Sequence, residues 1–185
     1  MLRSLNQAHG MSPRPFLPKD EIAVERLLDA VFGPARQQRT AALLRRGSMW
    51  LPDLSFVVED SAGAVTGTVQ CWPLRWIRAD GHARPLILLG PLVVDPLARG
   101  TRIGQELMQS ACAALDREGR SAMLIGDAPY YGRFGFCSAA TGHWQLPGPV
   151  DSNRLLLRSR TPTAFAAAAR VLPAAAMLEQ PPLRA

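Results

Sequence analysis

Two short stretches of this sequence hold residue types able to do chemistry. In the first, Asp95 to Gly104, glycines at 100 and 104 bracket Thr101, Arg102 and Ile103, and Arg99 stands just before them. A glycine-bearing turn that opens a helix is an anion site on physical grounds. The first backbone N–H groups of a helix have no internal partner, and the helix dipole adds partial positive charge there. Arg99 and Arg102 add full charges that can grip a phosphate bidentately. An ordinary strand-to-helix turn with solvated arginines would carry the same letters, and the segment is neither a P-loop nor a GxGxxG. The second stretch, Gly126 to Phe136, crowds together two phenols and a guanidinium, Tyr130, Tyr131 and Arg133. A tyrosine can serve as a general acid, giving its proton to a departing group. As packing residues the same phenols would bury their rings and leave their hydroxyls at the surface.

The neighbouring elements must bring these stretches together. Pro85 to Asp95 is the strongest strand: Leu86 to Leu89 and Leu92 to Val94 are apolar on both faces, as in a strand buried on both sides. Gly90-Pro91 interrupts it and predicts a bulge. A helix follows the turn, with Ile103, Leu107, Ala111 and Leu115 on one face, Met108 and Cys112 flanking them, and Glu118-Gly119 closing it. Ala122 to Ile125 reads as a second buried strand, which makes a βαβ-like unit and sets the tyrosine stretch beside the first turn.

Upstream, a helix is predicted from Asp20 or Glu21, with an apolar stripe of Ile22, Val24, Leu27, Leu28 and Val31 that Gly33-Pro34 breaks. A second helix is predicted from Ala35 to Arg46, ended by Gly47. Leu54 to Glu59 and Val65 to Trp72 form an antiparallel hairpin, with Pro73 limiting or bending its second strand. Gly126 to Phe136 can hold only a short helix; Trp144 to Leu146 and Arg154 to Arg158 read as further strands. Residues 161–185 are Ala- and Pro-rich and are expected to form a peripheral extension, with a helix around Phe165 to Val171, to a single domain over residues 1–160.

Composition narrows the classes. A chain of 185 residues suits one domain, and its 48% hydrophobic content is ordinary for a globular core. No apolar run is long enough for a membrane helix, and the N-terminus has no signal-like apolar region, so a cytoplasmic location is the default. Cys71, Cys112 and Cys137 are odd in number and widely spaced, which suggests neither a disulfide framework nor a metal site; all three are expected to be reduced and mostly buried. The net charge of +6 comes almost wholly from arginine, with Lys19 the only lysine. These arginines are scattered, with only Arg45-Arg46 adjacent, which argues against a nucleic-acid partner and leaves a phosphorylated cofactor as the functional reading of the charge.

Together the two stretches resemble the GNAT N-acetyltransferase superfamily. Leu92 to Gly104 is similar to that family's phosphate signature: Arg or Gln, two residues, Gly, one residue, then Gly or Ala, between a central strand and a long helix. Tyr131-Gly132-Arg133-Phe134-Gly135-Phe136 is similar to its later signature of a tyrosine, three residues and Gly-Phe. The wording from Gly126 to Phe136, with Leu146-Pro147-Gly148 after it, resembles a bacterial subgroup of predicted acetyltransferases. The resemblance is strong over Leu86 to Phe136 and weaker from about Asp20 to Arg158.

It implies an α/β (mixed α+β) GNAT-like acyl-CoA N-acyltransferase fold: a mixed, mostly antiparallel sheet with a splayed parallel strand pair and helices on both faces. It implies acetyl-CoA as cofactor, its pantetheine arm paired along Leu92, Val93 and Val94 and its pyrophosphate held at Arg99, Gly100, Thr101, Arg102, Ile103 and Gly104. The Val94 amide would polarise the thioester carbonyl, Tyr131 would be the general acid, and the amine of a small molecule or protein would attack directly.

Arg102 stands where the family has a second signature glycine, and its side chain can either add a phosphate contact or crowd the turn. The strand from Leu86 to Val94 offers no carboxylate base; Glu59 and Asp127 are the candidates, and His82 and His143 fall in loops. The acceptor pocket is expected to draw on the first two helices and the loop after Trp76. The apolar C-terminal region would suit a homodimer contact. A GNAT fold that binds acyl-CoA without turnover, and a basic nucleic-acid-binding protein, are the competing readings.

Overall fold

The computed structural model describes residues 12–98 and 100–177. Arg99 therefore lies outside the described residues. In chain order the elements are β1 (Arg14–Pro15), α1 (Glu21–Phe32), α2 (Thr40–Leu43), β2 (Phe56–Glu59), β3 (Val65–Arg78), β4 (Ala83–Val94), α3 (Ile103–Arg117), β5 (Ala122–Ile125), α4 (Ala128–Tyr131), β6 (Trp144–Gln145), β7 (Leu155–Arg158) and β8 (Ala169–Pro173).

The strands form one mixed sheet in the order β1-β2-β3-β4-β5-β7, with β8 pairing both β3 and β6. Its pairs are antiparallel except β4–β5 and β6–β8. Strand alternation sends neighbouring residues to opposite faces. Val57 and Val93 pack with Val24 and Leu28 of α1, whereas Val58 and Leu92 pack with Leu107 and Met108 of α3. The sheet is thus covered on both faces, as the resemblance implied. The periodic face of α3 is fully realised: Ile103, Leu107, Met108, Ala111, Cys112 and Leu115 are all buried. Burying one such leucine contributes about 1.5–3 kcal/mol, which makes α3 a firm support for the turn that precedes it.

Several elements depart from the expectation. β3 runs through Pro73 to Arg78 instead of ending at Trp72. It pairs with β2 over 65–69 and with β8 over 74–78, and Pro73 falls in the gap between these two partners, where its missing N–H costs no ladder bond on that edge. The expected helix from Ala35 to Arg46 is split into a 3-10 turn at Pro34–Gln38 and the short α2, because Arg39 between them is extended, with ψ 151°. Side chains on either side fix that break. Arg36 turns inward to Asp29 and Glu25 of α1, and the Thr40 hydroxyl donates to the Pro149 carbonyl at 2.6 Å.

Ile22, placed in the stripe of α1, is 68% exposed; the buried face is Val24, Leu27 and Leu28. The helix expected around Phe165 to Val171 is replaced by a 3-10 turn at Pro162–Phe165 and the strand β8 from Ala169. Ala169 and Val171 point inward and Arg170 outward, a period of two that the alanine-rich composition masked. With Phe165, whose carbonyl accepts the Trp144 indole N–H at 2.9 Å, these residues join the cluster around Trp76. The described part of 161–185 is therefore built into the sheet rather than peripheral. Cys71 and Cys112 are buried as expected, but Cys137 is exposed.

One polar cluster pins the sheet edge. The Arg14 guanidinium bridges Asp20, at 2.7 Å, and Glu59, while Asp20 also accepts the Leu17 N–H at 2.9 Å. The bond from Arg14 holds the Asp20 carboxyl below its usual range. A carboxyl depressed in the folded state stabilises above its unfolded value and loses that contribution as pH falls through its folded value. Asp20→Asn is expected to destabilise the protein by about 1–3 kcal/mol at neutral pH, with the gap to wild type closing in acid; urea unfolding across pH checks both.

Candidate functional site

The parallel pair that opens the site is short. β4 meets β5 only at Ile87–Ala122 and Leu88–Met123. Immediately beyond, the β3–β4 register shifts, so that Gly90 and Pro91 together lie against Gln70 alone. This is the bulge that Gly90-Pro91 predicted, and Gly90 adopts φ 139°, a conformation that favours glycine. Past the bulge β4 stays with β3, and β5 continues along β7. The Asp95 N–H donates to the Thr66 carbonyl at 2.8 Å. Backbone direction alternates along a strand, so Val93 also turns toward β3 while Leu92 and Val94 turn their N–H and C=O groups toward the splay. Two residues of the triplet thus offer open backbone there, and the polar groups of Val93 belong to β3.

A cleft of ≈ 580 Å³ occupies the splay. Leu88 to Leu92 of β4, Leu124 to Asp127 at the end of β5, and Tyr131 line one part of it; Phe32 of α1, the segment 36–45, residues 149–151 and Arg154 line the rest. The Tyr131 hydroxyl makes no hydrogen bond among the described residues. Loss of solvent pushes its phenol up to about 12, with Tyr130 and Asp127 adding to the effect, so it keeps its proton at neutral pH. Gly126 makes room for it: a Cβ there would stand 2.2 Å from Tyr131 Cε2. The ring also packs edge-on against Tyr130, with centroids 4.8 Å apart.

The glycine turn lies at the far end of the open β4 edge, outside the cleft lining. Gly100 has φ 85°, which favours glycine. Its N–H and that of Gly104 find no partner among the described residues, the free donors expected of a helix start. The Thr101 hydroxyl is engaged with the Ala98 carbonyl at 2.6 Å, and the Ile103 side chain is buried under α3. Arg102 is exposed, forms no ion pair among the described residues, and has an ordinary φ of −81° that any residue adopts. The two stretches meet here: a Cβ on Gly104 would lie 3.4 Å from the Tyr130 hydroxyl and 3.6 Å from Val94 Cγ2. Arg133 stacks over the Tyr130 ring at 4.9 Å.

Residues 52–138, which span the bulged strand, the turn, α3 and the tyrosine stretch, match the family model for an acetyltransferase (GNAT) domain. Over that span the chain is similar to a GNAT domain. Among solved structures, a GNAT family N-acetyltransferase (YhbS) from Escherichia coli in complex with CoA superposes with a TM-score of 0.74 at 21% identity, covering 97% of this chain and 98% of that one. A GNAT family acetyltransferase from Brucella melitensis in complex with acetyl-CoA gives 0.52 at 24% identity, covering 82% and 97%. At these identities the likeness speaks to the fold. No curated protein matches the chain.

Within this site the candidate bases separate. Glu59 is bound by Arg14, which holds its carboxyl below the usual range, and it is absent from the cleft lining. Asp127 lines the cleft, 3.2 Å from Arg154. His82 and His143 are exposed, as expected for loops. The loop after Trp76 contributes nothing to the cleft; residues 149–151 and Arg154 take its place, drawn in by the Thr40–Pro149 bond. Gly126 and Arg45 went unremarked as site residues. Only the adjacency of Arg45 and Arg46 signals the latter. No helix among the described residues is long and apolar enough to cross a membrane.

Proposed function

We propose that this protein is an acetyl-CoA-dependent N-acetyltransferase acting on a primary amine, with Tyr131 as general acid. The observation that carries the reading is the open backbone edge of β4, which runs from the Tyr131 cleft at one end to the unpartnered glycine amides at the start of α3 at the other. A long ligand with an anionic middle and a reactive end fits that arrangement.

Acetyl-CoA bound along this edge supplies an activated thioester open to direct attack by an amine, with no covalent enzyme intermediate. The N–H groups of Gly100 and Gly104, at the positive end of the α3 dipole, hold the pyrophosphate, and Arg102 adds charge beside them. Thr101 and Ile103 contribute backbone, and Arg99 belongs to the same proposal by its place in the signature. Leu92 and Val94 bind the pantetheine arm as a strand edge, and the Val94 N–H donates where negative charge develops on the carbonyl oxygen. Tyr131 delivers a proton from Oη to the leaving sulfur.

A calorimetric titration with acetyl-CoA tests this. One-to-one binding in the micromolar range is expected, and no detectable binding would overturn the reading. Because Arg102 is exposed with an unstrained backbone, Arg102→Gly is expected to weaken binding about threefold to tenfold, and less so at high salt. Tighter binding in that variant would mean that Arg102 crowds the turn.

A further inference from the structure

The chemistry above leaves one wall of the cleft unused. Besides Phe32, that wall carries the guanidiniums of Arg36, Arg39 and Arg45, and Arg154 stands beside Asp127. Two of these four are neutralised: Arg36, buried, by Glu25 and Asp29, and Arg154 by Asp127. Arg39 and Arg45 have no carboxylate within ion-pair distance among the described residues.

Each is set against an aromatic ring, Arg39 exposed and Arg45 half-buried. Arg39 lies over the Phe32 ring at 5.8 Å and Arg45 over the Trp72 ring at 5.3 Å. Among the described residues the one hydrogen bond of the Arg45 guanidinium runs from Nε to the Ala41 carbonyl at 3.3 Å. Stacking on an aromatic face orients a guanidinium and strips water from one side of it. Burial makes Arg45 harder to keep charged, and repulsion from Arg36 adds to the cost. A half-buried guanidinium without a counter-ion is expensive, and an anion arriving through the open cleft would remove that expense. Asp151, also on the lining, accepts the Asn153 N–H at 2.9 Å and makes no ion pair with Arg45.

We infer that the acceptor amine carries an oxyanion, a carboxylate or a phosphate, which Arg45 and Arg39 take up on the cleft wall while the amine reaches the Tyr131 end. This rests on the acetyltransferase reading. Transfer balances without a further reactant: the N–C bond forms, the C–S bond breaks, nitrogen releases a proton to water, and Tyr131 supplies one to sulfur and regains it from water. The planar guanidinium fork fits either anion bidentately, and charge-assisted bonds of this kind are the strong ones.

Calorimetric titration of the full chain, without acetyl-CoA, with ω-aminocarboxylates, aminoalkyl phosphates and amino alcohols of matched length tests the inference. At least one acidic series is expected to bind about tenfold or more tightly than the alcohols, and the better of the two identifies the anion. Arg45→Gln and Arg39→Gln should each erase most of that preference. Alcohols that bind as tightly in wild type, or a preference that survives Arg45→Gln, would overturn the inference; the wild-type comparison stands even if a variant misfolds. A separate acetyl-CoA titration of wild type keeps the two readings apart. Acidic amines bound without acetyl-CoA binding would sink the acetyltransferase reading and leave the anion site standing. Acetyl-CoA binding without an acidic preference would sink the anion site alone.

Discussion

Tyr131→Phe is expected to lower turnover about a hundredfold or more while leaving acetyl-CoA affinity nearly unchanged. The ring is held by packing against Gly126 and Tyr130, and the hydroxyl makes no hydrogen bond among the described residues, so phenylalanine keeps the shape and removes only the proton. In this cleft the phenol is pushed up to about 12, chiefly by loss of solvent. Taken alone, that makes it a poor acid. A leaving thiolate in an equally dry place is a stronger base for the same reason: buried Cys112 is pushed up to about 11 by the same desolvation. Donor and acceptor move together, and transfer between them is not steeply uphill. The pH–rate profile should therefore rise as the acceptor amine deprotonates and show no alkaline fall below the ordinary tyrosine value of 10.0. Turnover unchanged in Tyr131→Phe, measured as release of free thiol, would remove Tyr131 as the acid.

The parts of this molecule that could be read from its sequence are those governed by local physics. The Leu86 to Val94 run, the Gly90-Pro91 interruption and the four-residue periodicity of α3 each follow from short-range patterning, and each lies where it was expected. The juxtaposition of the glycine turn with the tyrosine stretch followed from one βαβ connection. What failed was set by partners distant in the chain. Arg39 breaks the second helix because Arg36 answers to α1 and Thr40 to Pro149, more than a hundred residues away. Ala169 to Pro173 becomes a strand because the edge of β3 beyond Pro73 needs a neighbour. Cys137 lies exposed although its own backbone bridges to Leu157, which composition could not foretell. The acceptor side of the cleft was illegible for the same reason: its arginines are separated along the chain from the aromatic rings that orient two of them.

Gly104→Trp is expected to lower acetyl-CoA affinity about a hundredfold or more, whereas Gly104→Ala should bind it nearly as well as wild type. The two substitutions share a position and differ in reach. A Cβ at 104 meets Val94 and the Tyr130 hydroxyl at 3.6 and 3.4 Å, ordinary contact distances, so alanine fits and the first turn of α3 should gain up to about 1 kcal/mol of helix propensity. An indole on the same bond vector must fill the space between the open end of β4 and Tyr130. On the proposed reading that space belongs to the pyrophosphate. Losing two charge-assisted bonds to the free amides at 100 and 104, each worth about 1.5–3 kcal/mol, accounts for the size of the effect. Thermal melting separates this from misfolding, since the alanine variant should melt at or above wild type and the tryptophan variant should still unfold cooperatively. If Gly104→Trp folds and binds acetyl-CoA normally, the phosphate site is not at this turn, and the free N–H groups at the start of α3 are only an uncapped helix end.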